Sequence, residues 1–175
     1  MSGWTVIAHQ ELQSDQAKFT FSNIPQTYTD LYILISTRSA FSGGGTPYTV
    51  IAPNGSLLNL TFRRLYGNGT SPFSDTAPYS VPTPSSLDTA NAFSNGSIYI
   101  PNYTSSNNKS FSVDAVDENN GTEAVAQIQA GLWSQTAAIT SIEIQAESGT
   151  GNLKQYSSVT LYGITKGSSG GVVVS

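Results

Sequence analysis

Cysteine is absent from the 175 residues, which removes disulfides, thiolate metal sites and cysteine nucleophiles together. Charge is scarce as well: Asp, Glu, Lys and Arg make up 10% of the chain, against roughly 25% in average domains. That excludes coiled coils and helical bundles, which are built from Ala, Glu, Lys, Leu and Arg. Lys and Arg number 7 and the net charge is −4, so no basic patch can track phosphates. Neither nucleic acid nor an anionic membrane is an expected partner. The one histidine, His9, excludes a multi-histidine metal site. No window approaches the roughly 18 apolar residues of a membrane helix. Met1-Ser2-Gly3-Trp4 lacks the cationic and apolar run of a secretory signal.

What is present is Ser, Thr, Asn, Gln and 16 Gly, with 38% hydrophobic residues. A chain of 18.5 kDa has the size of one domain. Period-two alternation dominates it. Ala124, Ala126, Ile128, Ala130 and Leu132 share one strand face, with Glu123, Gln127 and Gln129 on the other. Hydrophobicity predicts that the Ala/Ile/Leu face turns inward. Ile142, Ile144 and Ala146 alternate with Glu143, Gln145 and Glu147 in the same way. The run 31–35 is apolar on both faces, which predicts a central strand covered on both sides. Further strands are predicted over 4–12, 18–21, 57–66, 97–100, 110–116 and 157–165, about nine in all.

Asn54-Gly55, Asn68-Gly69, Asn95-Gly96 and Asn120-Gly121 supply the positive φ of tight turns. Seven Asn-x-Ser/Thr triplets read as a by-product of an Asn/Ser/Thr-rich surface. The stretches 39–53 and 68–92, rich in Gly and Pro, read as long surface loops where partner contacts live. The pattern is all-β, an antiparallel β-sandwich with long Gly/Pro-rich loops. Residues 1–166 form the single domain, and 167–175 form a flexible tail ending in Val172-Val173-Val174. The expected core contains Ile33, Ile35, Phe111, Val113, Ile128, Leu132, Ile142, Ile144, Val159 and Leu161.

No residue set names a chemistry. His9 lies in an alternating strand, and no Gly-x-Ser-x-Gly elbow accompanies it. Asp114, Asp117, Glu118 and Glu123 surround a hairpin tip without the EF-hand spacing. Catalytic, cofactor and metal residues are accordingly not expected, and the chain does not read as an enzyme. Arg63-Arg64 puts one guanidinium on each face of a strand. One internal salt bridge and one interface or carboxylate clamp are the two roles open to them. Arg38, Arg63, Arg64, Val172, Val173 and Val174 are the candidate interface residues. The valine tip is expected to pair with an exposed strand edge of a neighbour.

Several segments together resemble a family of small virion proteins of tailed bacteriophages. They are Phe19–Leu31 followed by an apolar strand and Arg38-Ser39, Arg64-Leu65-Tyr66-Gly67-Asn68-Gly69, Ile98–Tyr103, Lys109-Ser110-Phe111, Trp133, Ile139–Ile142 and Val159–Ile164. The resemblance implies a structural component of the virion with a jelly-roll-like sandwich. It implies a capsid decoration or cement protein on the head surface, a homotrimer that binds the major capsid protein and bridges capsomers. A tail or fibre component that contacts host glycan is the alternative. Either would be made in the host cytoplasm without a signal peptide.

Overall fold

The computed structural model describes residues 3–120 and 124–166. Among them every regular element is a strand. The strands are β1 (Gly3–Glu11), β2 (Lys18–Phe21), β3 (Asp30–Ser36), β4 (Tyr48–Pro53), β5 (Leu60–Gly67), β6 (Pro72–Asp75), β7 (Val81–Pro82), β8 (Asn95–Pro101), β9 (Lys109–Asp117), β10 (Val125–Trp133), β11 (Ile142–Ala146) and β12 (Ser158–Thr165). They form an eight-stranded sheet, β1-β12-β3-β8-β9-β10-β5-β6, and a four-stranded sheet, β2-β11-β4-β7. Every pairing is antiparallel. The fold is an antiparallel β-sandwich.

The nine strands expected from alternation are all present, and three more occur in the stretches read as surface loops. β4 is buried at every position, and Ser80–Ser85 is buried around β7. Prolines obscured these strands, yet they sit where a strand tolerates them. Pro53 ends β4, Pro72 begins β6, and Pro82 lies in an edge strand of two residues. Asn54 and Gly55 both take positive φ, 50° and 70°, in the turn after β4. Asn95-Gly96, expected to be a turn, lies inside β8 instead. A Cβ on Gly96 would meet the Val81 side chain at 2.6 Å, so the glycine lets β7 close onto the large sheet.

The strand order divides the large sheet into two regions. β1, β12, β3 and β8 lie beside the small sheet's strands as one unit, and aliphatic side chains fill the space between. Ile33, Ile35, Ile98, Ile100, Val159 and Leu161 from the large sheet meet Phe19, Phe21, Ile51, Ile142 and Ile144 from the small one. β9, β10, β5 and β6 continue the large sheet beyond them as an extension. The interior face of β10 is Val125, Gln127, Gln129, Gly131 and Trp133, while Ala126, Ile128 and Ala130 point outward to solvent. This reverses the expected orientation. Ile128 is 57% exposed and Leu132 only half-buried, so both leave the expected core, whereas its other eight members are buried. β3 is central, but Leu34 and the half-buried Tyr32 show that its outer face is uncovered.

Candidate functional site

The interior of the extension explains why β10 is turned over. Arg64 on β5 is 4% exposed and chelates Asp75 of β6, with Nε to Oδ1 at 3.1 Å and Nη2 to Oδ2 at 2.6 Å. Its Nη1 donates to Gln127 Oε1 at 3.3 Å, and Gln127 Nε2 donates to the Ser80 carbonyl at 2.5 Å. The rings of Tyr66, Tyr48 and Tyr79 surround the guanidinium carbon at 4.1, 4.9 and 5.3 Å. The hydrogen-bonded guanidinium holds the Asp75 carboxyl below its usual range. A buried Arg needs acceptors, and Gln127 is drawn inward as part of that network, while Gln129 beside it places Nε2 3.5 Å from the Ala77 carbonyl. Arg64 thus forms an internal ion pair, and its guanidinium is not available to a partner.

Arg38 is buried too. It donates to the carbonyls of Thr89, Ala92 and Asp88 at 2.7, 2.9 and 3.1 Å, tying the segment before β8 to the end of β3. Lys109 puts its ammonium against the carbonyls of Ser105, Gln135 and Ala137 and over the Trp133 ring, and burial lowers its pKa. Asp117, at the inner end of β9, has its pKa pushed up to about 7 by burial and by the nearby Asp88 charge. His9 is exposed, with Nδ1 2.8 Å from Thr160 Oγ1. Among the described residues, no group of three His, Cys, Asp or Glu is placed to hold a metal ion. Val172, Val173 and Val174 lie outside the described residues, as does Glu123.

Of the candidate interface arginines, Arg63 alone faces solvent. It borders an open groove of about 970 Å³ on the outer face of the large sheet, spanning β3 to β6. Antiparallel register aligns the groove's side chains in two cross-strand rows. One runs Tyr162, Tyr32, Tyr99, Ser112, Ala130, Arg63 across β12, β3, β8, β9, β10 and β5. The other runs Thr160, Leu34, Ser97, Asp114, Ile128, Leu65, Ser74 through to β6. Trp4 closes the aromatic end, edge-on to Tyr32 at 4.8 Å between ring centroids. Ile128 and Leu65, the latter 58% exposed, form an aliphatic centre flanked by Val116 and Phe73. One aromatic end, one aliphatic centre and two charges of opposite sign make this a surface suited to binding.

Adjacency placed Arg63 and Arg64 on opposite strand faces without saying which faces solvent; the structure turns Arg63 outward. Asp114, Ile128 and Tyr99 as its companions depend on the order β8-β9-β10-β5, which no local pattern encodes. No family model, curated protein or solved structure matches the chain.

Proposed function

We propose that the chain is a structural protein of a tailed-phage virion, a capsid decoration protein that binds the outer head shell and bridges capsomers. It acts by binding and not by chemistry. The observation carrying this is the inverted β10: its Ala/Ile side faces water while its Gln side faces the interior. An exposed strand face of that composition belongs to a surface that another chain covers in an assembly. The segments that resemble phage virion proteins supply the identity of the assembly.

Strand order supports a jelly-roll-like reading of the sandwich. β1, β2, β3 and β4 lie against β12, β11, β8 and β7 respectively, as one long antiparallel ribbon wrapped into two sheets. β5-β6 and β9-β10 are then hairpins inserted into that ribbon, and they pair with each other through β5 and β10.

Ile128 and Leu65 at the groove's centre favour a protein partner over a saccharide, which stacks on rings and hydrogen-bonds to planar polar groups. Particle reconstruction with quantitative copy counting tests the reading. Hundreds of copies on the head are expected. A few copies on the tail, with saccharide binding, would replace it with the tail reading, and absence from purified particles would overturn both.

A further inference from the structure

All seven cations lie within the described residues. Lys18, Arg64, Lys154 and Lys166 are paired with Glu143, Asp75, Asp15 and Asp30. Arg38 and Lys109 are each held by three backbone carbonyls. Arg63 has neither arrangement: Nη1 donates to the neighbouring Phe62 carbonyl at 2.7 Å, and no ion pair is formed among the described residues. Asp114, exposed on the same face, also lacks an ion pair among them.

Their placement is regular. Arg63 stands opposite Ala130 and Asp114 opposite Ile128, on the two sides of β10. They are therefore two strand spacings apart across the sheet, about 10 Å, and two residues apart along it, about 7 Å. The midpoint of that diagonal falls on β10 between Ile128 and Ala130.

We infer that a second copy of this chain covers the outer face of the extension, related by a two-fold axis, with each Arg63 set against the partner's Asp114. A two-fold lying in the interface, perpendicular to the Arg63–Asp114 diagonal, exchanges the two positions. Both free charges are then paired twice over. On a lattice of these spacings the same operation brings Ile128 against the partner's Leu65. An isologous contact needs a patch complementary to itself, and one cation and one anion placed evenly about an apolar centre satisfy that. Two copies with net charge −4 can approach there because this patch is itself neutral. The two sheets cross steeply, so the groove of one twisted sheet receives the ridge along the other diagonal of its partner.

Size is sufficient. Four strand widths by eight residues is about 19 by 27 Å, roughly 500 Å² per copy, and about 1,000 Å² in total is at the lower limit for a specific interface, in keeping with a pair that dissociates on dilution. This deepens the assembly reading and rests on it for the premise that the face is covered. It assigns a two-fold pair where the phage resemblance implies a trimer.

Light scattering and sedimentation of the full chain test it. The expected particle has twice the 18.5 kDa chain mass and dissociates on dilution. Arg63→Asp and Asp114→Arg each set like charges together twice and should weaken association about tenfold or more. The double variant exchanges the charges and should restore it. Circular dichroism should show each variant folded, since both positions are exposed. A native chain that is monomeric or trimeric overturns the inference, and so does a pair untouched by either single reversal. Particle localisation is a separate readout: a trimer found on heads ends this inference alone, and a dimer absent from particles ends the virion reading alone.

Discussion

Ile142 in β11 and Ile128 in β10 are the same residue in the same kind of strand. One is wholly buried between the sheets and the other stands 57% exposed on the outer face. The contrast extends to the regions around them. β1, β12, β3 and β8 present aliphatic residues to the small sheet and hold together by burial of apolar area. The extension turns inward Phe62, Phe111, Val113 and Trp133 as well, but sets beside them a guanidinium, two glutamines and the buried ends of Lys109 and Asp117, so directed hydrogen bonds join apolar burial there. A single sheet can switch between these rules without a break in register. The lesson is that alternation fixes which residues share a face, whereas the facing layer decides which face is inside.

The largest expected effect breaks the aliphatic side of that contrast. Ile142→Ala should cost about 2–5 kcal/mol in urea unfolding, because a buried side chain is lost and a cavity remains. A loss under about 1 kcal/mol would show that the sheets do not depend on this contact.

On the polar side, Arg64→Met keeps the volume and removes the charge. Asp75 and Gln127 then lose their shared donor, and a loss of about 1–3 kcal/mol is expected at neutral pH. Asp75 is partly exposed and can recover water, which keeps the figure below that of a fully buried pair. The native Asp75 contribution is present above the carboxyl's ordinary pKa and is lost as pH falls through its depressed folded value. Arg64→Met should flatten that acid limb of the stability curve. An unchanged limb would detach the pair from stability.

Asp117 gives the opposite slope. Its pKa rises from 3.8 to about 7 on folding, so the folded state takes up a proton between those values. Its contribution is complete below pH 3.8 and is lost progressively as pH rises to about 7. Asp117→Asn should remove this decline and raise the melting temperature at neutral pH. A variant melting lower at neutral pH would show that the ionised carboxylate is stabilising.

The smallest effect completes the comparison. Ile128→Ala, measured at a dilution where copies are separate, should change stability by no more than about 0.5 kcal/mol. A loss comparable to that at Ile142 would place Ile128 inside the fold.

Strand existence was legible because period-two runs such as Ser110–Val116 and Ile142–Ala146 suit a half-buried strand and do not suit the 3.6-residue turn of a helix. The direction of β10 was not, since Ala/Ile against Gln reads inward by hydrophobicity alone. The contrary signal was Val125 and Trp133, which share the Gln face and are buried with it. β4, β6 and β7 were hidden by their prolines. The opposed faces of Arg63 and Arg64 were legible from adjacency, but Asp75 and Asp114 as their neighbours required strand order. Arg38 gave no local sign that it would be satisfied by backbone carbonyls instead of a partner.

The place of β12 has a consequence for synthesis. It lies between β1 and β3 and is the last strand among the described residues. Among the described residues β1 pairs with β12 alone, so it has no strand partner until β12 has left the ribosome. Because chains emerge from their N-terminus at about 5–20 residues per second, both β1 and one edge of β3 stay open for seconds. The large sheet closes only once Ser158–Thr165 has been made, and a nascent chain stalled before Ser158 would hold two unpaired strand edges for chaperones, or for other stalled chains, to occupy.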